Sequence, residues 1–159
     1  MLTHHRRPIC LSLISTDLPI CSTLETAATL YQRDRDRFHI LLEAHPFPAN
    51  LNREPENPLN SERKGLLWLE LSPSRAIATM QGKGQLGYRH FWEQGVYGAS
   101  RFWLQSDHQE SQGSLRLRNF TRRLQLSGQP LPHNLRVEYE LWSDKLRLGC
   151  YVLSLEIHH

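Results

Sequence analysis

The C-terminal part of the chain carries the pattern that most constrains its fold. Two runs, 135–142 and 145–157, alternate apolar with polar residues, and Ser143 and Asp144 lie between them. Alternation with a period of two indicates strands that bury one face, and serine and aspartate are frequent in tight turns. The sequence therefore predicts a β-hairpin over 135–157.

The register of this hairpin follows from its turn. If Ser143 and Asp144 form the centre of the turn, each apolar residue of one strand faces an apolar residue of the other. Glu140 then faces Arg147, which has the opposite charge, as cross-strand pairing favours. The run Cys150–Leu153 is apolar at both parities, which predicts a strand covered on both faces. The predicted pairs are Leu141 with Leu146, Tyr139 with Leu148, Val137 with Cys150, and Glu140 with Arg147.

Further strand signals, bounded by turn residues, occur earlier in the chain. These segments are 65–71, 75–81, 99–105 and 114–126. In the last of them the apolar parity changes, from Leu115 and Leu117 to Phe120 and Leu124. A slip of one residue moves side chains to the opposite face, so we predict a bulge or bend near 119–122.

Residues 22–43 fit an amphipathic helix. Ser22 and Glu25 can form a capping box, in which the Ser22 hydroxyl accepts from the Glu25 backbone N–H and the Glu25 carboxylate reaches back. Apolar residues behind them fall mainly on one helical stripe, with an arginine–aspartate run on the solvated face. Phe38–Leu42 could instead begin a strand. The stripe consists of Leu24, Ala27, Ala28, Tyr31, Phe38, Leu41 and Leu42.

Chain length and composition bound the architecture. A chain of 159 residues suits one domain, and 39% hydrophobic with 22% charged residues is typical of a globular rather than a disordered protein. We therefore predict an α+β fold in a single domain over 1–159. Its main part is an antiparallel curved sheet or barrel, with one N-terminal helix over 22–43 and the C-terminal hairpin over 135–157.

The N-terminal region carries no membrane or export signal of sufficient length. The apolar run Ile9–Ile14 is cut off by Asp17 and Pro19, well below the length of a signal peptide or a membrane span. The three cysteines show no paired spacing, so neither a disulfide framework nor a zinc site is predicted. We expect a cytoplasmic protein without membrane association.

The sequence motifs that could indicate a cofactor, metal or catalytic site lack the flanking structure or spacing that such sites need. Residues 82–87 match the GxGxxG of dinucleotide sites, and Asp107 lies twenty residues beyond Gly87, but the flanking segments resemble antiparallel hairpins rather than a parallel sheet. A flexible turn is the simpler interpretation. The nine histidines show no metal-binding spacing and most of them are assigned to surface or loops, and no GxSxG elbow occurs. The sequence therefore predicts no cofactor, no metal and no catalytic residue, and an enzyme is the least favoured class.

Positive charge is concentrated in the middle of the chain, where arginine occurs with aromatic residues. Residues 71–137 carry a net charge of +6, against −1 for 1–70 and −2 for 138–159. Arginine binds phosphate or carboxylate through two parallel hydrogen bonds and stacks on aromatic planes. The predicted binding residues are Arg89, Trp92, Arg101, Trp103, Arg116, Arg118, Arg122 and Arg123.

This set of residues fits three functions. The leading hypothesis is a non-catalytic accessory or interaction protein, a small subunit that docks onto a larger assembly through the basic, aromatic-rich β surface, because tryptophan, tyrosine and arginine are enriched at interfaces. The first alternative is an RNA-binding subunit of a ribonucleoprotein complex, with arginine on the phosphates. The second is a β-barrel that holds an anionic organic ligand against arginine. A protein is the expected partner, RNA is the alternative, and the sequence identifies no particular small molecule.

Overall fold

The computed structural model describes residues 3–45, 47–48, 64–82, 86–104 and 114–159. These residues form ten strands, and no helix occurs among them, hence none that is long and apolar enough to span a membrane. The strands are β1 (Thr3–Ser15), β2 (Cys21–Asp34), β3 (Arg37–Ala44), β4 (Gly65–Leu71), β5 (Arg75–Gln81), β6 (Leu86–Glu93), β7 (Tyr97–Leu104), β8 (Ser114–Ser127), β9 (Asn134–Ser143) and β10 (Leu146–Ile157).

The ten strands close into one antiparallel barrel. Each strand pairs with its neighbours in sequence, and β1 pairs with β10 to complete the ring. At this seam Ile9 is opposite Ile157 and Leu13 is opposite Leu153, and all four side chains are buried. Full closure removes the sheet edges, and alternate residues of each strand build the core inside the barrel.

The predicted helix over 22–43 is wrong, and with it the α+β class. The segment forms β2 and β3, and the arginine–aspartate run contains the turn between them at residues 35–36. In β3 every second residue is buried, namely Phe38, Ile40 and Leu42, as expected for a strand. This agrees with the alternative that Phe38–Leu42 begins a strand. The local helix signals did not decide the structure because pairing with β1 and β4 satisfies the backbone and buries one face of each strand.

The C-terminal hairpin is present, but its predicted register is wrong. The turn is formed by Asp144 and Lys145, one residue later than expected, and Asp144 has a φ of 51°. Aspartate tolerates this left-handed conformation better than most residues. A β-bulge in β10 then shifts the pairing, which places Val137 opposite Leu153 rather than Cys150.

The apolar run Cys150–Leu153 is covered on one face rather than two. Leu153 is buried and Tyr151 faces the barrel interior, whereas Cys150 and Val152 are partly exposed because the outer face of a closed barrel meets solvent. The observed partners are Gly149 for Leu141, Tyr151 for Tyr139, Cys150 for Glu140, and Trp142 for Arg147.

The predicted irregularity near 119–122 is confirmed. The register of β8 against β9 shifts between Thr121 and Arg123. Before the shift Asn119 and Thr121 are buried in the barrel, and after it Leu124 is buried. The bulge therefore moves the inward-facing positions of β8 from odd-numbered residues, which include Leu117, to the even-numbered Leu124.

Candidate functional site

Three arginines lie side by side on the outer face of β6, β7 and β8. Arg89 is opposite Arg101, and Arg101 is opposite Arg116, so we call these three residues the arginine row. All three are exposed, and within the described part of the chain none forms an ion pair or hydrogen bond. Like charges directly opposite each other destabilise a sheet. The row is therefore unfavourable by itself and would be relieved by an anion.

Trp103 borders the arginine row on one side. It is opposite Gly87 in the register of β6 with β7, and it is partly exposed. A Cβ atom at Gly87 would lie 2.3 Å from Trp103 Nε1, so the indole covers the Gly87 backbone. Glycine suits this position because the absence of a side chain permits this close approach without displacing the indole.

Aromatic rings also border the arginine row on its other side. The Arg118 guanidinium lies 4.9 Å from the centroid of the Tyr97 ring, which is a cation–π contact. Tyr97 is 56% exposed, and its centroid is 5.0 Å from that of Phe120. The outer face of β6–β8 therefore combines accessible guanidinium groups with accessible aromatic rings.

Arg122 and Arg123 follow the bulge in β8 and are engaged with neighbouring side chains. Arg122 donates to Glu140 through Nε, at 2.8 Å, and through Nη2. Burial alone would raise the pKa of the Glu140 carboxyl, but hydrogen bonds from Arg122 and Trp142 outweigh burial and hold this pKa below its usual value. Arg123 donates to Gln125 at 3.1 Å. These two predicted binding residues therefore lie apart from the arginine row.

Trp92, the remaining predicted binding residue, lies inside the barrel. Its side chain is 2% exposed, whereas Arg89 on the same strand faces solvent. Successive residues of a strand point to opposite faces, so residues that are close in sequence are divided between interior and surface. The structure thus brings Arg89, Arg101, Arg116, Arg118 and Trp103 together and separates Trp92 from them.

A cavity of about 200 Å³ lies inside the barrel and is partly open to solvent. Ile20, Phe47 and Pro48 line it from the connections at one barrel end, and strand residues line the rest. Among the described lining residues there is no aspartate, glutamate, lysine or arginine. The few polar groups on its wall belong to Tyr88, His90, Trp92, Tyr139 and Tyr151.

His90 is surrounded by aromatic rings on this wall. Its ring stacks on Trp92 with centroids 5.0 Å apart and planes inclined by 10°, and the Tyr88 and Phe102 centroids lie 5.1 and 5.3 Å away. Burial lowers the pKa of His90 to about 4, because the imidazolium would lose its hydration. The imidazole is therefore neutral at pH 7.

A buried hydrogen-bond network fixes the orientation of His90. Its Nδ1 lies 2.8 Å from Ser100 Oγ, and Asn119 Nδ2 donates to the same oxygen at 2.8 Å and to the Phe91 carbonyl at 3.1 Å. Ser100 and Asn119 are fully buried. Since Ser100 Oγ accepts from Asn119, its own hydrogen is available to His90 Nδ1, which favours the neutral tautomer with the proton on Nε2.

Trp92 provides a buried donor without an acceptor. Its Nε1–H has no hydrogen-bond partner among the described residues. A buried polar group left unpaired costs about 1–3 kcal/mol, and such groups are uncommon in native proteins. Asn119 Oδ1 and Thr121 Oγ1 are also unpaired within the described ranges, but neither residue lines the cavity. The Trp92 ring lines the cavity, but its N–H is shielded even from water, so this donor lies behind the cavity surface.

The tyrosines of the wall are neutral. Burial raises the pKa of Tyr88 and of Tyr139 well above the usual value, because a buried phenolate would lack solvation. Tyr88 donates to the Phe47 carbonyl at 2.5 Å, which ties the segment after β3 to the wall. Tyr139 stacks on Tyr151 with centroids 5.4 Å apart. The wall is therefore aromatic and uncharged at neutral pH.

Sequence reasoning missed the residues of this wall. It assigned most of the histidines to surface or loops, whereas His90 is buried. The signal that could have identified the wall is the alternation of Tyr88, His90 and Trp92 with Arg89 and Phe91, because a period of two places the first three on one face.

The GxGxxG match leads into a strand. Residues 83–85 and Asp107 lie outside the described residues, but the segment that follows the glycines is β6. A dinucleotide site of this type needs a helix directly after the glycines. The strand that follows therefore does not provide the helix that a dinucleotide site requires.

Comparison with known proteins identifies the fold but no family. No protein-family model and no curated protein matches the sequence. Among solved structures, the crystal structure of the ywiB protein from Bacillus subtilis is similar, with a TM-score of 0.61 over 99% of this chain and 94% of that chain. The two sequences are 11% identical, so the similarity shows a shared fold alone.

Proposed function

We propose that this barrel binds a small, uncharged organic molecule in its interior cavity. The observation that carries the proposal is a cavity of about 200 Å³ without a charged residue among its described lining. The same cavity gathers Tyr88, His90 and Tyr139, whose pKa values burial shifts furthest. A largely apolar cavity with a few polar groups and perturbed titratable residues is the usual form of a ligand site.

The size of the cavity supports a ligand rather than a packing defect. An apolar cavity of about 150 Å³ is large enough to bind benzene. A single aromatic ring system therefore matches a volume of about 200 Å³.

The chemistry of the wall indicates a neutral, planar molecule with a hydrogen-bond acceptor. Stacked rings such as His90 on Trp92 favour a flat partner. The neutral His90 offers a donor but no positive charge. The anionic ligand suggested by the sequence required arginine in the cavity, and no arginine occurs among its described lining residues.

Titration with indole and with benzoate tests this proposal, because the two probes have similar size and different charge. We expect indole to raise the unfolding temperature and to shift the NMR signals of the cavity residues, with little effect from benzoate. Ala78 lines the cavity and Ala99 lies exposed on β7. Filling the cavity with Ala78→Leu should weaken indole binding by about tenfold or more, which is about 1.4 kcal/mol, whereas Ala99→Leu should leave it unchanged.

Two results would refute the cavity as the binding site. Indole could bind Ala78→Leu as tightly as the wild type, or benzoate could bind as tightly as indole. If Ala78→Leu does not fold, Leu141→Phe adds volume to the same cavity and takes its place. The cytoplasmic location, the non-catalytic character and the protein partner stay predictions from the sequence.

A further inference from the structure

We infer that the outer face of β6–β8 is a second binding site, for single-stranded nucleic acid. The arginine row would contact the phosphates, and the rings that border it would stack against bases. This site is independent of the proposed cavity ligand, because the two lie on opposite faces of the same strands. Proteins that bind single-stranded nucleic acid without sequence preference combine arginine contacts to the phosphate backbone with aromatic side chains that stack on the bases.

The positive charge of this face is not neutralised by the acids around it. Glu93 pairs with Arg75 at 3.5 Å, and Glu140 pairs with Arg122. Within the described residues, the arginine row therefore has no acidic partner, and Arg118 contacts an aromatic ring rather than a carboxylate. Charge of this kind attracts a phosphate backbone and is relieved by it.

The geometry of the row suits a chain of phosphates. Adjacent strands lie about 4.8 Å apart, so the row presents a cation at each strand as it crosses the sheet. Trp103 lies on one side of this line, and Tyr97 lies on the other. A single strand that follows the row therefore passes between two aromatic surfaces, on which its bases can stack.

The same arrangement disfavours a protein partner at this face. Protein interfaces place apolar and aromatic residues at the centre and charges at the rim. Here three adjacent like charges occupy the centre, and Trp103 and Tyr97 lie at the edges. Burying the arginine row against a protein would desolvate three cations together, which requires a matching cluster of acids.

Binding can be measured by fluorescence anisotropy with a labelled oligouridine over a series of salt concentrations. The triple variant Arg89→Gln, Arg101→Gln, Arg116→Gln removes the row. Its matched control removes three arginines around the β2–β3 turn, namely Arg33→Gln, Arg35→Gln and Arg37→Gln. Each phosphate contact contributes about 0.7 to the logarithmic salt slope of a single strand, so loss of the row should lower the slope by about 2. The control should bind as the wild type does.

Stacking is tested separately with Trp103→Ala. This variant should bind oligouridine more weakly by about fivefold or more, with an unchanged salt slope, because it removes no charge. Absence of binding at low salt would overturn the inference, as would equal weakening by the two triple variants. Competition by polyglutamate as strong as that by unlabelled oligouridine would also overturn it, in favour of an acidic protein surface.

Discussion

The inner and outer faces of β6–β8 are built from alternating residues of the same strands, and they carry opposite electrostatics. On the inside, His90 and Ser100 are opposite each other in a neutral, buried network. On the outside, Arg89 and Arg101 are the next pair along and carry two exposed charges. The period of two therefore allows one set of strands to hold a neutral cavity wall and a cationic surface without mixing them.

Solvation explains why the two faces differ. Burial removes the hydration that a charge needs, so His90 stays neutral inside the barrel. Water screens charges outside, so adjacent arginines are tolerated there at a modest cost. The inner face should therefore respond strongly to small changes in volume or charge, and the outer face weakly.

The largest expected effect comes from adding one methyl group at Gly98 on the inner face, and Gly87 on the outer face provides the comparison. At Gly98 a Cβ atom would lie 2.1 Å from the Phe91 carbonyl oxygen, so the backbone must move. Gly98→Ala should reduce the free energy of unfolding by about 3 kcal/mol. At Gly87 the clash is with the Trp103 side chain, which can rotate into solvent, so Gly87→Ala should cost about 1 kcal/mol or less. Urea denaturation of both variants measures the difference, and equal losses would contradict it.

A smaller effect is expected from acid. The pKa of His90 is about 4 in the folded protein, against 6.5 for an unperturbed histidine, so below pH 6.5 the unfolded chain binds the proton more readily. Stability should therefore fall as the pH decreases through this range, by about 2–3 kcal/mol between pH 7 and 4.5.

The contribution of His90 to this loss is isolated by comparison with His90→Gln. The variant keeps a polar side chain but cannot titrate, so the wild type should lose about 2–3 kcal/mol more than the variant over the same pH interval. Urea denaturation at the two pH values gives the four stabilities that are needed. An identical pH dependence in both proteins would show that His90 is not buried as described.

The smallest expected effect concerns the arginine row. Arg101→Glu places an acid between Arg89 and Arg116, which replaces two repulsive cross-strand pairs with attractive ones. It should stabilise the protein by about 0.5–1 kcal/mol, and Arg101→Gln by less. The same substitution should abolish binding of oligouridine. Denaturation in low salt measures the gain, and a loss of stability in Arg101→Glu would show that the charges of the row are already compensated.

Short segments rich in apolar residues and bounded by turn residues could be predicted as strands from the sequence. The segments 65–71 and 75–81 coincide with β4 and β5. The helix prediction for 22–43 was wrong because Ser22 and Glu25 have the spacing of a helix N-terminal capping box. In the structure Ser22 is a buried residue of β2 opposite Leu13. Such local signals are weak against pairing with strands on both sides.

The candidate sites required registers that the sequence does not contain. Arg89, Arg101 and Arg116 were each selected for their chemistry, but their alignment depends on two strand registers and could not be read from spacing. The interior cavity depends on closure of the barrel, which pairs residues as distant as Ile9 and Ile157. The chemistry of individual residues could thus be inferred from the sequence, whereas their grouping in three dimensions could not.

The pairing of β1 with β10 has a consequence for how the chain folds. Every other strand pairing among the described residues joins neighbours in sequence, so these pairs can form locally while the sheet stays open. During that time the backbone of β1 presents a free edge, which another chain could pair with. Only arrival of the last strand removes it. Strand β10 is therefore the closing segment of the barrel, and its pairing with β1 is what removes this edge.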